Sequence, residues 1–440
     1  MSKERVFIFE YVSGGGYNQV DIPNSLFCEG FGMLRSIIED FSALNFEIST
    51  LMDYRILNLA SFLKTNIIKP VHERDNFIKI FKKQVKESEY CFIIAPEFNN
   101  ILYELTKIIK RSKKQLLSID LDAITLGSSK IRTYDFFKAH EISTPRTFTI
   151  PSNNGLDFNF IFNKIKELNS PIIIKPDDGV GAEEIYYFRS ENELIDSIDD
   201  FELKIDSNRK YIMQNYVKGN DLSVSLIGNV KNSSDQFIFL SMNRQFVNIK
   251  NLSSDSEYFG GCTPIEEDAL IHEKLKKALN KTDLSIFNGY FGIDLIKSNG
   301  TLYFIEINPR LTTSYIGIRN ITCNNVAELI FNCHFKDSEI DEIKIQNHSL
   351  FMRLELEYMG NKSRENVNQE TVPILMESVP EIVTPPISLK RTIQSNKKSF
   401  SCFIATKEKN LSHSKIKLNM ILNKLKELDF HLIRELEITL

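Results

Sequence analysis

The chain reads as a multidomain protein of mixed α/β and α+β class, on three observations. Short unbroken apolar runs alternate with helix-like segments through the first third. A strand pair carrying acids follows in the middle, and the last hundred residues return to strands and one amphipathic helix. The 440 residues are 42% hydrophobic and 25% charged, an ordinary globular composition, with room for roughly two to four domains.

Taken in order, Val6-Phe7-Ile8-Phe9 is a compact strand-like run that ends in Ser13-Gly14-Gly15-Gly16. A helix is expected from about Ser25 to Leu44. Phe46-Glu47-Ile48 opens a second strand, and Cys91-Phe92-Ile93-Ile94 is a third, closed by Ala95-Pro96-Glu97. A helix over Asn99 to Arg111 and a fourth strand at Leu116-Leu117-Ser118-Ile119 follow. Continuous apolar strands alternating with helices predict a parallel sheet covered on both faces, here an N-terminal domain over 1–125.

A second domain is expected over 126–335. It opens with a short amphipathic helix, Ser129 to His140, ended by Pro145, and continues through the strand Ile172-Ile173-Ile174. A helix near Ile265 to Leu279 carries Ile271, Leu275 and Leu279 on one face. Phe291–Ile296 and Thr301–Ile307 form a hairpin pattern around the turn Ser298-Asn299-Gly300. The remaining residues, 336–440, form a third α+β module, whose role the pattern does not reveal. Ser349–Leu356 and Ser399–Ala405 read as strands, Pro385-Pro386 as a loop, and a final helix carries Leu418, Ile421, Leu422 and Leu425 on one face.

Several classes are excluded. A net charge of −4 and a pI near 6.1 give no basic field, so nucleic acid is not expected as a partner. Cys28, Cys91, Cys262, Cys323, Cys333 and Cys402 show no close metal-ligand spacing and read as reduced cysteines of a cytoplasmic protein. No uncharged apolar stretch reaches about 18 residues, so no membrane span is expected, and the basic helix over 411–428 reads as packed on its own module. No Gly-x-Ser-x-Gly elbow occurs, and the seven histidines form no spaced pair.

The chemistry concentrates in four places. In Phe304-Ile305-Glu306-Ile307-Asn308-Pro309-Arg310, strand alternation puts Glu306 and Asn308 on one face, with Ile305 and Ile307 packing on the other. Asp294, on the paired strand, can reach the same face. Two carboxylates and an amide oxygen suit a hard cation such as Mg²⁺; the plainer alternative is a solvated strand face. Lys175-Pro176-Asp177-Asp178-Gly179-Val180-Gly181 offers a point charge and a glycine loop whose backbone can approach phosphates, without a Walker ending. Lys130 opens a helix after Gly127-Ser128-Ser129. Finally, Tyr211 to Asp221 reads as a strand, an exposed connector and an acid, a pattern able to bind a purine edge and a ribose or to be a plain turn.

The order Lys130, Lys175 with its glycine loop, Gln214 to Asp221, Asp294 and Glu306-x-Asn308 resembles the ATP-grasp superfamily over about 120–320. The resemblance implies a pre-ATP-grasp domain at the N-terminus and two subdomains clamping ATP. Lys130, Lys175, Gly179 and Gly181 would meet the phosphates. Gln214, Tyr216 and Val217 would meet adenine, and Asp221 the ribose. Asp294, Glu306 and Asn308 would hold two Mg²⁺ or Mn²⁺ ions. Arg244 and Arg310 would neutralise the transferring phosphoryl group. Gln214 and Asp221 stand where the superfamily more often has Glu. Gly292 stands where D-alanine ligases have Arg, a role that falls to Arg310 or Arg244.

Phe9-Glu10-Tyr11-Val12-Ser13-Gly14-Gly15-Gly16, Tyr258-Phe259-Gly260-Gly261 and Glu306 to Tyr315 are similar to archaeal ligases of the tyramine–glutamate ligase type, of methanofuran biosynthesis. The Tyr258 stretch would line the acceptor pocket. The implied reaction activates a carboxylate as an acyl phosphate and couples it to an amine, in an enzyme that is often a homodimer. Carboxylase-type or purine-biosynthesis-type chemistry and a non-catalytic ATP-binding role are the alternatives.

Overall fold

A computed structural model describes residues 3–152, 155–182, 184–228, 236–250, 252, 256–267, 269–335, 343–389 and 399–434. Its first sheet is parallel and joins β1 (Arg5–Glu10), β2 (Glu47–Asp53), β3 (Ile67–Val71), β4 (Tyr90–Ile94) and β5 (Gln115–Leu116) in the order β3-β2-β1-β4-β5. Val6 to Phe9 are fully buried, as strands covered on both faces must be. The helices α1 (Asn24–Ser42), α2 (Phe77–Lys86) and α3 (Ile101–Arg111) connect the strands. The expected strand at Leu116–Ile119 shortens to Gln115–Leu116. β3, which carries Lys69 and Pro70 at the sheet's edge, has no apolar run to announce it.

After α4 (Leu121–Gly127) and α5 (Lys130–Ala139) comes a four-stranded antiparallel sheet, β6 (Thr147–Thr149), β9 (Tyr211–Asn215), β7 (Ile172–Pro176) and β8 (Tyr186–Phe188), in that spatial order. It packs its own core of Ile161, Ile165, Ile172, Ile174, Phe188 and Phe201.

The largest sheet is antiparallel and nine-stranded. It comprises β10 (Asn220–Gly228), β11 (Phe237–Asn248), β12 (Glu257–Thr263), β13 (Gly289–Ser298), β14 (Thr301–Asn308), β15 (Ser349–Tyr358), β16 (Ile382–Ile387), β17 (Ser399–Ala405) and β18 (Phe430–Leu432). Its order is β14-β13-β10-β11-β12-β15-β17-β16, with β18 also paired to β15. The β13–β14 hairpin forms as expected, with Asn299 (φ 47°) and Gly300 (φ 73°) supplying the positive dihedrals of a two-residue loop.

The sheet crosses the expected boundary at 335. Gly260 to Thr263 of β12 pair with Ser349 to Met352 of β15, so the third module extends the sheet of the second domain. Gly260 (φ 128°) is needed there, because a Cβ would lie 2.1 Å from the Phe351 carbonyl oxygen. The final helix, Leu411–Glu427, buries Leu418, Ile421 and Leu425 in this module's core. One expectation is corrected: Pro385 and Pro386 lie inside β16, not in a loop. Proline cannot donate to a ladder and so is confined to edges and irregularities. β16 is the outermost strand, and its register shifts on both sides of Thr384.

Candidate active site

The β13–β14 hairpin sets Asp294 directly opposite Glu306 and Gly292 opposite Asn308. The two carboxylates therefore share a face. Asn308 Nδ2 donates to Asp294 Oδ2 at 3.1 Å. Ile307 packs on the opposite side, buried beside Ile293. Ile305, expected with it, instead lines the cavity described below. The ladder shifts between Asp294 and Leu295, and such a bulge breaks strict alternation.

Lys130 reaches this pair because Asp177 pins the start of α5. The Asp177 carboxylate accepts from the Ile131 N–H (2.9 Å) and the Ser129 hydroxyl (2.8 Å), and its carbonyl accepts from the Lys130 N–H (3.0 Å). Lys130 Nζ then donates to the Gly179 carbonyl at 2.6 Å and lies 3.5 Å from Glu306 Oε2. Lys175, at the end of β7, brings its Nζ to 3.8 Å from the same oxygen. Thus two lysines 45 residues apart in sequence (175 − 130) converge on one carboxylate.

The charges respond accordingly. Burial and the neighbouring Glu306 raise the pKa of Asp294. Burial opposes ionisation of Glu306 too, but Lys130 and Lys175 outweigh it and hold its pKa below normal. Burial lowers Lys175 to about 8 against the pull of Glu306. Two opposed carboxylates, one short of a counter-charge, and an amide beside them fit a hard divalent cation. Among the described residues no group of three His, Cys, Asp or Glu could hold a metal, so the remaining ligands would come from phosphate and water.

All three sheets border one cavity of about 330 Å³. Lys175, Gly181, Gln214, Tyr216, Val217, Asp221, Asp294, Glu306, Asn308 and Arg310 all line it. Gly179 stands behind, offering its carbonyl to Lys130. Gln214 donates to Thr147 Oγ1 at 2.8 Å. The Tyr216 N–H donates to the Pro171 carbonyl and its ring packs edge-on to Tyr187 at 4.8 Å; Tyr216 and Val217 both line the cavity. Burial raises Asp221 to about 6, with Arg244 pulling the other way.

Three candidates do not line the cavity: Lys130 and Gly179, which are bonded to each other beside Glu306, and Arg244. Arg244 pairs with Leu222, which is buried in the core. With a strand period of two, the neighbouring Gln245 takes the cavity face instead and donates to Asp294 Oδ1 at 3.0 Å. A one-residue offset on β11 hid it from sequence reading.

Glu97 was missed as well. It holds Arg310 Nε at 2.9 Å, and both are nearly buried. Its signal was its place just past the C-terminal end of a parallel strand, where α/β sheets bind ligands. Glu10, Glu29, Tyr258 and Thr313 also line the cavity. Of the stretch expected at an acceptor pocket, Tyr258 lines the cavity, while Gly260 and Gly261 serve the approach of neighbouring strands.

A glycine loop and two lysines that converge on one carboxylate of an opposed pair thus lie between one small sheet and one large one. Residues 127–314 match the ATP-grasp domain and residues 46–124 the pre ATP-grasp 3 domain. The chain belongs to the ATP-grasp superfamily. It is similar to the tyramine–L-glutamate ligase of Methanocaldococcus jannaschii, 28% identical over 348 residues that span 78% of this chain and 91% of that one. An ATP-grasp superfamily protein from Archaeoglobus fulgidus superposes with a TM-score of 0.56 at 23% identity, over 82% of this chain and 94% of that one. The biotin carboxylase domain of Hydrogenobacter thermophilus 2-oxoglutarate carboxylase, solved with MgADP and bicarbonate, gives 0.68 at 13% identity, over 98% and 91%. No helix among the described residues is long and apolar enough to cross a membrane.

Proposed function

We propose that this chain is an ATP-dependent ligase that activates a small carboxylate as an acyl phosphate and couples it to an amine. The observation that carries the reading is the convergence of Lys130 and Lys175 on Glu306, the strand partner of Asp294, at the wall of one cavity.

A carboxylate is a poor electrophile, so its oxygen first attacks the γ-phosphorus of ATP. The bond to the β–γ bridging oxygen breaks, and ADP leaves. The amine nitrogen then attacks the acyl carbon, the C–O bond to the phosphoryl group breaks, phosphate departs, and the amine sheds a proton to solvent. Most of the barrier is charge redistribution over phosphoryl oxygens, so positioned cations supply the catalysis. Lys130 and Lys175 supply two. Arg310, kept in place by Glu97, supplies a third near the acyl phosphate. Asp294, Glu306 and Asn308 would hold two Mg²⁺ or Mn²⁺ ions, which neutralise and orient the phosphates. Gln214, Tyr216 and Val217 border the place for adenine, and Asp221 the place for ribose. The glycine loop, in which Gly181 (φ 69°) takes a left-handed conformation, covers the phosphates and excludes water that would hydrolyse the intermediate.

The setting is the cytoplasm, where ATP is supplied, and the substrates are small molecules, as the name of the M. jannaschii ligase states for that protein. Phosphate release should require a divalent cation, an acid and an amine together. Glu306→Ala should abolish it; undiminished turnover would remove the assignment. Because the fold of a biotin carboxylase domain covers nearly the whole chain, bicarbonate belongs in the acid panel, and bicarbonate-dependent ATP hydrolysis without amine would favour a carboxylase instead.

A further inference from the structure

α1 turns Leu26, Glu29, Gly30 and Met33 toward the cavity, the i, i+3, i+4, i+7 face of one helix. Val12, Ile94 and Pro96, at the C-terminal ends of β1 and β4, line the same cavity. The lining that these elements contribute is apolar apart from two carboxylates, Glu10 and Glu29, and the two are not alike. Glu10 is 2% exposed and places both oxygens on backbone N–H groups, of Val12 (2.9 Å) and Ser13 (2.7 Å). Its carboxyl also packs so closely on Gly30 that a Cβ there would sit 2.7 Å away. It shapes the loop.

Glu29 remains open to a ligand. Its side chain is 16% exposed and is held from two other parts of the fold, by the Thr313 hydroxyl (3.1 Å) and by Arg353 Nη1 (3.1 Å) of β15. Arg353 is also 2.9 Å from Glu355. Two carboxylates divide one guanidinium, so Arg353 only partly offsets Glu29, and the cavity-lining Arg310 adds a weaker positive pull. Tyr258, another lining residue, feels the charges of both Glu29 and Asp294, so this end adjoins the phosphoryl-transfer end.

Resting on the ligase reading above, we infer that this chamber receives the ammonium group of one substrate, with Glu29 as its anion and Leu26, Met33 and Val12 around an apolar body. The third module then takes part in substrate choice, because its Arg353 sets the position and charge of Glu29. An ammonium could belong to the acceptor amine or to an amino acid serving as the carboxylate donor.

The test uses the full-length enzyme with Mg²⁺ and a non-hydrolysable ATP analogue. 2-Phenylethylamine should raise the Tm of the wild type while its neutral isostere 2-phenylethanol does not, and Glu29→Gln should lose that response. Where turnover is measured, Glu29→Gln should raise the KM of the ammonium-bearing substrate roughly 10- to 100-fold, the worth of one charge-assisted hydrogen bond, with nucleotide affinity unchanged. A KM effect on the amine assigns the ammonium to the acceptor; an effect on an amino acid assigns it to the donor. Glu355→Gln, which leaves Glu29 in place but hands it more of Arg353, should weaken the amine response several-fold. An alcohol that binds as well as the amine, or a Glu29→Gln enzyme that keeps its amine response within twofold, overturns the inference. A wild type that never needs an amine for phosphate release would instead remove the ligase reading, and the thermal-shift arm would still decide the role of Glu29.

Discussion

Replacing Lys175 with Met separates the chemistry of a buried ammonium from its packing. The residue is 5% exposed, and its Nζ lies 3.8 Å from Glu306. Burial lowers its pKa from 10.5 to about 8. A folded pKa below the unfolded one means that the folded chain binds this proton less tightly. The penalty is therefore complete below about pH 8 and fades as pH rises toward 10.5. At pH 7 it amounts to about 3 kcal/mol. Met has similar length and no charge, and Glu306 keeps Lys130 at 3.5 Å. Without metal, Lys175→Met should therefore be at least as stable as the wild type. Activity should move the other way. A unit charge about 4 Å from a phosphoryl oxygen, at an effective dielectric constant of about 20, is worth about 4 kcal/mol, or roughly a thousandfold in rate. Urea unfolding in EDTA and steady-state phosphate release measure the two quantities. If activity stays within tenfold of wild type, or stability and activity fall together, Lys175 is a structural residue and the phosphate assignment is wrong.

Three further outcomes are expected. Glu97→Ala strands the buried Arg310 guanidinium and should cost about 3–5 kcal/mol in urea unfolding, together with a fall in kcat, while Glu97→Gln should recover part of both. Because burial and Glu306 raise the proton affinity of Asp294, Mg²⁺ binding near pH 6 should release protons. Titration calorimetry in buffers of different ionisation enthalpy would detect them, and Asp294→Asn should abolish the buffer dependence. Burial raises Glu10 from 4.5 to about 7, so its neutral form is favoured by folding. That stability is complete below pH 4.5 and declines as pH rises to about 7, by about 3 kcal/mol in total, and Glu10→Gln should flatten the decline in a series of unfolding curves.

The fold was legible wherever burial leaves a continuous apolar run. Val6 to Phe9 and Cys91 to Ile94 declared a parallel sheet because both faces of such strands are covered. β3 and β16 were not legible, because edge strands tolerate Lys and Pro, and their signal comes from the partner they join. The face shared by Asp294 and Glu306 was legible because the turn at Asn299-Gly300 fixes the register of β13 on β14. Ile305 and Arg244 show the limit. A single bulge turned Ile305 inward, and the tertiary register of β11 gave the cavity Gln245 rather than the more conspicuous arginine. Glu29, Glu97 and Arg353 lie 324 residues apart at the extremes (353 − 29), and no local spacing rule can join them.

The pairing of β12 with β15 also constrains how this chain can be shortened. A truncation near residue 345 would keep every proposed ATP contact, yet it would strip the outer neighbour from Gly260 to Thr263. Those peptide groups would face solvent as a bare strand flank, able to recruit another chain. A nucleotide-binding fragment without the last hundred residues is therefore a poor reagent: self-association, rather than lost affinity for ATP, would be its first symptom.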